Sequence, residues 1–215
     1  MSYATLVLGE SGTGKTCSLR NLDPKKTLLI QPVRKPLPFP SKGWREFRVK
    51  GGEGNIYVSP NPVGILKTMY ESPFDIIVVD DWQYILALMF MSRRTEKNYE
   101  KFSDIGGAGF DIAKAAAELD ENKRVYIMAH TTTDDLGNTR IKTLGKLLDD
   151  KIVIEGMFTT VLRTNVVDGN FYFSTKNSGH DTVKSPMGLF DETLIENDLE
   201  IVDSRICEYY GIEQQ

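Results

Sequence analysis

Two cysteines, Cys17 and Cys207, are too few for a disulfide framework in a chain of 215 residues. Reduced thiols in a cytoplasmic protein are the expectation. Histidine is equally scarce: His130 and His180 stand far apart, and no His/Cys grouping has the spacing of a zinc site. No apolar run approaches the ~20 residues of a membrane-spanning helix. The first apolar stretch begins at Tyr3, so neither a leader nor a membrane partner is expected. Basic charge is not in excess either. Lys and Arg number 26 against 30 Asp and Glu, a net charge of −4. That excludes a uniformly basic nucleic-acid coat and leaves room for a local basic loop. The length suits one domain, 1–215, with a proper core.

Against these absences stands one complete motif. Gly9-Glu10-Ser11-Gly12-Thr13-Gly14-Lys15-Thr16 follows the apolar strand Tyr3–Leu8. Glycines allow a tight turn whose N–H groups converge on phosphates, Lys15 reaches the β- and γ-phosphates, and the Thr16 hydroxyl can ligate Mg²⁺. Cys17–Asn21 is expected to open a helix with its positive end toward the phosphates. Glu10, a like charge inside the loop, is expected to face away. ATP with Mg²⁺ is the cofactor expectation.

Strand-like and helix-like segments alternate along the rest of the chain, which predicts an α/β fold with a mostly parallel central sheet flanked by helices. Thr27–Ile30 reads as the second strand. A proline-rich excursion follows, with a short edge strand expected at Trp44–Val49. Asn61-Pro62 caps a helix running to about Glu71. Phe74–Val79 reads as a doubly buried strand, Gln83–Ser92 as a helix, then a polar stretch, an alanine-rich helix Phe110–Asn122 and a buried strand Val125–Ala129. Phe158–Thr164 and Phe171–Thr175, around Asp168-Gly169-Asn170, read as a C-terminal β-hairpin. Asp198–Tyr209 reads as a closing helix.

Ile76-Ile77-Val78-Val79-Asp80-Asp81 places two acids at the tip of a buried strand, on the sheet edge where ligands bind in open α/β folds. Asp80 is the expected Mg²⁺ ligand, with Thr16; the competing reading is a helix cap. Asp81 either positions or deprotonates the attacking water or caps the helix. Val125–Ala129 delivers His130 to the same edge, where it can sense the γ-phosphate. Lys184 is a candidate finger reaching a neighbouring subunit's nucleotide, with an ordinary solvated lysine as the alternative. Arg93, Arg94, Lys97, Tyr99 and Lys101, with Arg140 beyond, mix cations with an aromatic as a single-strand surface would, although acids dilute them.

GESGTGKT, IIVVDD, VYIMAH and TKNSGHDTVKSPMGLF, with KPLPF (Lys35–Phe39) and YEKFSDIGG (Tyr99–Gly107), together resemble the compact phage-encoded RecA-like ATPases grouped with Sak-type single-strand annealing proteins. The resemblance runs over nearly the whole chain. It implies a RecA-like phosphate-loop core, ATP and Mg²⁺, homo-oligomerisation, and single-stranded DNA binding in phage recombination, with a single-strand-binding protein as a further candidate partner. It also supports Lys15 and Thr16 on nucleotide and metal, Asp80 on Mg²⁺, His130 as phosphate sensor and Lys184 as the trans-acting finger, while the motif itself predicts nucleotide contacts from Gly9 through Cys17. One departure bears on the chemistry. The second strand ends in Gln31, where RecA proteins carry a catalytic glutamate, and Asp81 is the expected substitute. A nucleotide-gated adaptor with little turnover and a small-molecule kinase are the rival readings.

Overall fold

Successive buried side chains of the central strands point to opposite faces of the sheet, and this alternation creates two cores. The computed structural model describes residues 1–47, 53–144 and 152–213. In β1 (Tyr3–Leu8) the side chains of Leu6 and Leu8 enter one core, and that of Val7 enters the other. The same division holds in β2 (Thr27–Gln31), β4 (Ile76–Val79) and β5 (Arg124–Ala129): Leu28, Ile30, Ile77, Val79, Val125 and Ile127 face one way, and Leu29, Ile76, Val78, Tyr126 and Met128 the other. A period of two on a strand apolar at every position requires cover on both faces.

The cover comes from helices. Helices α1 (Pro62–Tyr70), α2 (Trp82–Ser92) and α3 (Glu100–Glu118) close the first face. A short 3-10 turn, Thr16–Asn21, and helix α4 (Leu199–Tyr210) close the second. Asn61 caps α1 by accepting a hydrogen bond from Val63 N, with Pro62 at the first helical position. Asp198 caps α4 through Glu200 N, and Gly211 ends it in the left-handed region at φ 67°. Among the described residues, no helix is long and apolar enough to cross a membrane.

Eight strands form one sheet. Labelling the remaining members β3 (Ile56–Val58), β8 (Thr160–Val167), β9 (Asn170–Ser174) and β10 (Leu194–Glu196), the order is β10-β9-β8-β1-β5-β4-β2-β3. The run from β8 to β3 is parallel, and β9 and β10 add an antiparallel edge. The expected hairpin is thus present and joins the main sheet. Strands β6 (Thr131–Thr133) and β7 (Thr139–Ile141) form a separate small ribbon. The chain moves from β1 to the β2 side and returns through β5 to β8 on the other. Strand β1 therefore lies at a topological switch, where the loops after neighbouring strands diverge and leave a cleft.

Three expectations are corrected. The helix after the phosphate loop is only the 3-10 turn; Leu22 is already extended and Pro24 follows, so no long helix dipole is aimed at the cleft. Helix α3 starts at Glu100, not Phe110. The glycines read as loop lie inside it, and at Gly109 a Cβ would stand 2.8 Å from Leu86 and Trp82 atoms while Trp82 Nε1 donates to its carbonyl at 3.2 Å. Close helix packing, not a turn, requires that glycine. Finally, the edge strand over Trp44–Val49 reduces to one parallel bridge from Glu46 to Ile56, and residues 48 and 49 lie outside the described residues.

Candidate functional site

Strands β1, β4 and β5 are parallel and end near one another: Leu8 lies opposite Ala129, and Val79 opposite Ile127, so Asp80 and Asp81 follow where β5 runs its last two residues. Their following residues therefore meet at one edge. These are the phosphate loop, the Asp80–Asp81 pair and His130, the convergence expected from sequence. A cleft of about 870 Å³ opens there, lined by Lys15, Thr16, Asp81, His130, Phe171 and Asn197 among others.

The phosphate loop is built on close approach. A Cβ at Gly9 would fall 1.8 Å from Thr164 Oγ1, inside strand β8, so glycine is obligatory there. Thr164 Oγ1 also lies 2.6 Å from Thr13 Oγ1, and Thr13 donates to Glu10 O at 2.7 Å. Gly12 and Gly14 adopt φ of 79° and 96°. The side chain of Lys15 is buried and donates to the carbonyls of Gly9 and Glu10 at 2.8 Å each. Burial holds its ammonium below the ordinary lysine range, against the pull of Asp81 and Asp80. Ser11, Gly12, Gly14, Thr16 and Cys17 line the cleft, whereas exposed Glu10 does not, as its charge predicts.

Thr16 Oγ1 donates to Asp80, 3.1 Å from both carboxylate oxygens. The Asp80 carboxylate is fully buried, and burial followed by the adjacent Asp81 charge pushes its pKa up. Side by side, a hydroxyl and a carboxylate are hard oxygen donors of the kind Mg²⁺ takes together with phosphate oxygens. The donor set fits that ion.

Asp81 adopts φ 66°, ψ 52°, the left-handed region, and its side chain makes no cap bond to α2. A non-glycine residue held so costs on the order of 1–3 kcal/mol, strain that concentrates at functional sites. The helix-cap alternative for Asp81 is thereby excluded. Its carboxylate instead joins two cations-in-waiting: Oδ2 ion-pairs with Lys35 Nζ, and Oδ1 lies 3.2 Å from His130 Nε2. Lys35 Nζ is also 3.7 Å from Asp80 Oδ2. Burial pulls the Lys35 ammonium down, but Asp80 and Asp81 outweigh it and leave it above the usual lysine value. Burial and then Lys15 lower the pKa of His130, so the neutral ring donates Nε2–H to Asp81 near pH 7. The backbone N–H of His130 donates to Gln83 Oε1 at 3.1 Å.

Sequence reasoning missed four residues here. Lys35 reaches the acids from the strap Pro36–Pro38, 46 positions from Asp81. Thr164 buttresses the loop. Phe171, near the start of β9, and Asn197, before α4, stand over Gly14 and line the cleft. Among the described residues, the buried amide Nδ2 of Asn197 has no hydrogen-bond partner. The only sequence signals were the KPLPF segment and the Asp168-Gly169 turn that carries Phe171 toward the loop.

The nucleic-acid candidates divide. Arg93 is clasped by Glu96 and Asp104, each at 2.8 Å, and Lys101 is buried between the rings of Phe90 and Phe102 while donating to Glu96 O at 2.5 Å. Both serve the α2–α3 junction. Arg94, Lys97 and Tyr99 are exposed beside it, and Arg140 is exposed on β7, under the field of Asp134. Lys184 is exposed outside the cleft, its backbone bridged to Val161 at 2.8 and 3.0 Å. Within α3, Ile112 and Ala113 lie in the first core and Phe110 packs against it.

No protein-family model matches the chain, and a search of the curated proteins finds no match. Among solved structures, the chain is similar to the pilus retraction motor PilT with bound ADP, at 14% identity and a TM-score of 0.37, over 98% of this chain and 53% of that one. It is also similar to the ATPase DotB of Legionella pneumophila, at 13% identity and a TM-score of 0.38, over 98% of this chain and 52% of that one. The chain thus spans about half the length of either.

Proposed function

We propose that this chain binds ATP with Mg²⁺ and hydrolyses it. The observation that carries the reading is the junction of the phosphate loop with the acid pair: Thr16 Oγ1 stands 3.1 Å from both oxygens of buried Asp80. Two segments 64 residues apart would not be joined through a hydroxyl and an unfavourably buried carboxylate for packing alone. Thr16 and Asp80 would hold Mg²⁺, which supplies a positive charge beside the reacting phosphates. The loop's N–H groups and Lys15 bind the β- and γ-phosphates, and Phe171 and Asn197 meet the nucleoside end. Asp81 orients water and accepts its proton as the water oxygen attacks the terminal phosphorus. The bond to the leaving ADP oxygen breaks, and phosphate is released. His130, bonded to Asp81, holds that carboxylate in place.

Titration of ATP into purified protein with and without Mg²⁺, followed by release of free phosphate, tests this. Lys15→Ala is expected to weaken ATP binding by about 10–100-fold, the effect of losing a charged hydrogen-bond donor. Asp81→Asn should leave ATP binding intact and lower turnover by roughly 10²–10⁴. Wild-type binding without turnover would favour the second reading, a nucleotide-gated adaptor, which gains support from the two partners already engaging Asp81.

The resemblance extends this proposal to single-stranded DNA and phage recombination. Arg94, Lys97, Tyr99 and Arg140 are the exposed candidates for contact, and Lys184 for a finger into a neighbouring copy. Salt-sensitive stimulation of hydrolysis by an unstructured oligonucleotide supports that extension; indifference to it removes DNA from the proposal and leaves the nucleotide site.

A further inference from the structure

Lys35 is the unexplained charge of the site. Its strap is fixed on the C-terminal side: Leu37 and Phe39 pack against the second core, the Phe39 ring meets Trp44 edge-on at 6.3 Å, and Pro36 and Pro38 border the cleft. The backbone is thereby anchored, while the lysine side chain keeps its four flexible carbons and remains 37% exposed. It carries one positive charge to two adjacent carboxylates, Asp81 and Asp80.

The other cations of the cleft are differently employed. Arg20 is bound to Glu196 at 2.8 Å, to Asp198 at 3.3 Å and to the Asn197 carbonyl at 2.5 Å, all at the approach to α4. Lys15 belongs to the loop itself. Among the described lysines and arginines of the cleft, Lys35 is the one ion-paired with Asp81, next to the Asp80 that Thr16 contacts; a phosphate chain laid along the loop toward Thr16 and Asp80 would end within its reach. With Asp80 and Thr16 committed to Mg²⁺, the acid pair no longer depends on the lysine for its balancing charge. A short swing of the side chain then brings Nζ to the phosphate.

We propose that Lys35 binds the terminal phosphate of a nucleoside triphosphate within its own subunit, making the strap a triphosphate-specific element. This rests on the ATP-binding reading above. It requires no neighbouring copy, in contrast to a finger supplied by Lys184.

The test is equilibrium binding of a non-hydrolysable ATP analogue and of ADP, each with Mg²⁺, to wild type, Lys35→Ala and Lys35→Arg. Lys35→Ala is expected to lose about tenfold in triphosphate affinity while ADP affinity stays within about twofold, and Lys35→Arg to recover most of the loss. Removing the lysine leaves two buried carboxylates facing each other, so the double variant Lys35→Ala/Asp81→Asn, which removes that repulsion, is measured alongside and should show the same loss of discrimination. An equal loss for both nucleotides, or none for either, overturns the assignment of Lys35 and leaves the nucleotide reading standing. Failure of the wild type to bind either nucleotide overturns both.

Discussion

Strand β5 ends in a charged cluster at each tip, and the two are built on opposite plans. At its first residue, Arg124 donates from Nε and one terminal nitrogen to both oxygens of Asp203, at 3.0 and 3.1 Å, and from the other to the Asn122 carbonyl at 2.7 Å. Tyr126 completes the group with a 2.7 Å hydrogen bond to Asp203. Just past its last residue, His130 shares Asp81 with Lys35, and Asp80 sits beside them with only part of its charge met. Among the described residues, the buried polar atoms without a partner gather at this end: Gln31 Nε2, Gln83 Nε2 and Thr131 Oγ1 adjoin it and Asn197 Nδ2 belongs to a residue lining the cleft, with Thr27 Oγ1 the exception. A matched network rigidifies; an unmatched one leaves groups available to something that arrives. Burial of charge alone does not distinguish the two plans. Completeness of pairing does.

Three experiments press on that contrast. The largest effect is expected from Asp203→Ala, which strands a buried guanidinium and should cost about 3–5 kcal/mol in chemical denaturation, with the ATP dissociation constant of the folded protein unchanged. A parallel loss of nucleotide affinity would erase the distinction. Smaller and of opposite sign is Asp80→Asn. Burial and Asp81 hold the Asp80 carboxyl above its usual range, so ionised Asp80 costs stability at neutral pH. The variant should be more stable than wild type by about 0.5–2 kcal/mol without added ligand. That gap should narrow as pH falls through the raised value toward the ordinary carboxylate range, where the folded protein takes up the proton first. Denaturation midpoints across that window decide it, and a gap that widens on acidification would reverse the assignment. The smallest effect concerns His130. Its depressed pKa means that the unfolded chain binds the proton more readily, so this group makes stability fall as pH drops from the ordinary imidazole value to the lowered one. His130→Gln should flatten that slope without changing the profile above neutrality.

Much of this arrangement was legible in the residues. Doubly apolar strands announce a covered parallel sheet, and a glycine-rich loop and an acid, each after a buried parallel strand, announce a meeting at one sheet edge. The contact of Asp80 with Thr16 follows from its place after Val79. What was not legible depends on the path of irregular chain. Lys35 resembles any lysine in a proline-rich excursion until the strap is seen to cross the strand tips. Thr164 and Asn197 have no local signature, because their importance lies in proximity to Gly9 and Gly14. That Asp81 gives α2 no side-chain cap rests on its left-handed backbone, which no local pattern announces. The start of α3 was hidden because glycines that let a helix approach a tryptophan look identical, in sequence, to glycines that turn a loop.

The seam between the phosphate loop and strand β8 also imposes an order on synthesis. Gly9 and Thr13 are made well before the hydroxyl they pack against, which belongs to Thr164, 151 positions after Thr13. Asn197, which stands over Gly14, emerges later still. The loop therefore waits without its wall until β8 is made, and contacts of such long separation are slow to form. A nascent chain halted before residue 160 carries every letter of the motif and none of its buttress, so the ordered loop should appear abruptly once β8 has emerged.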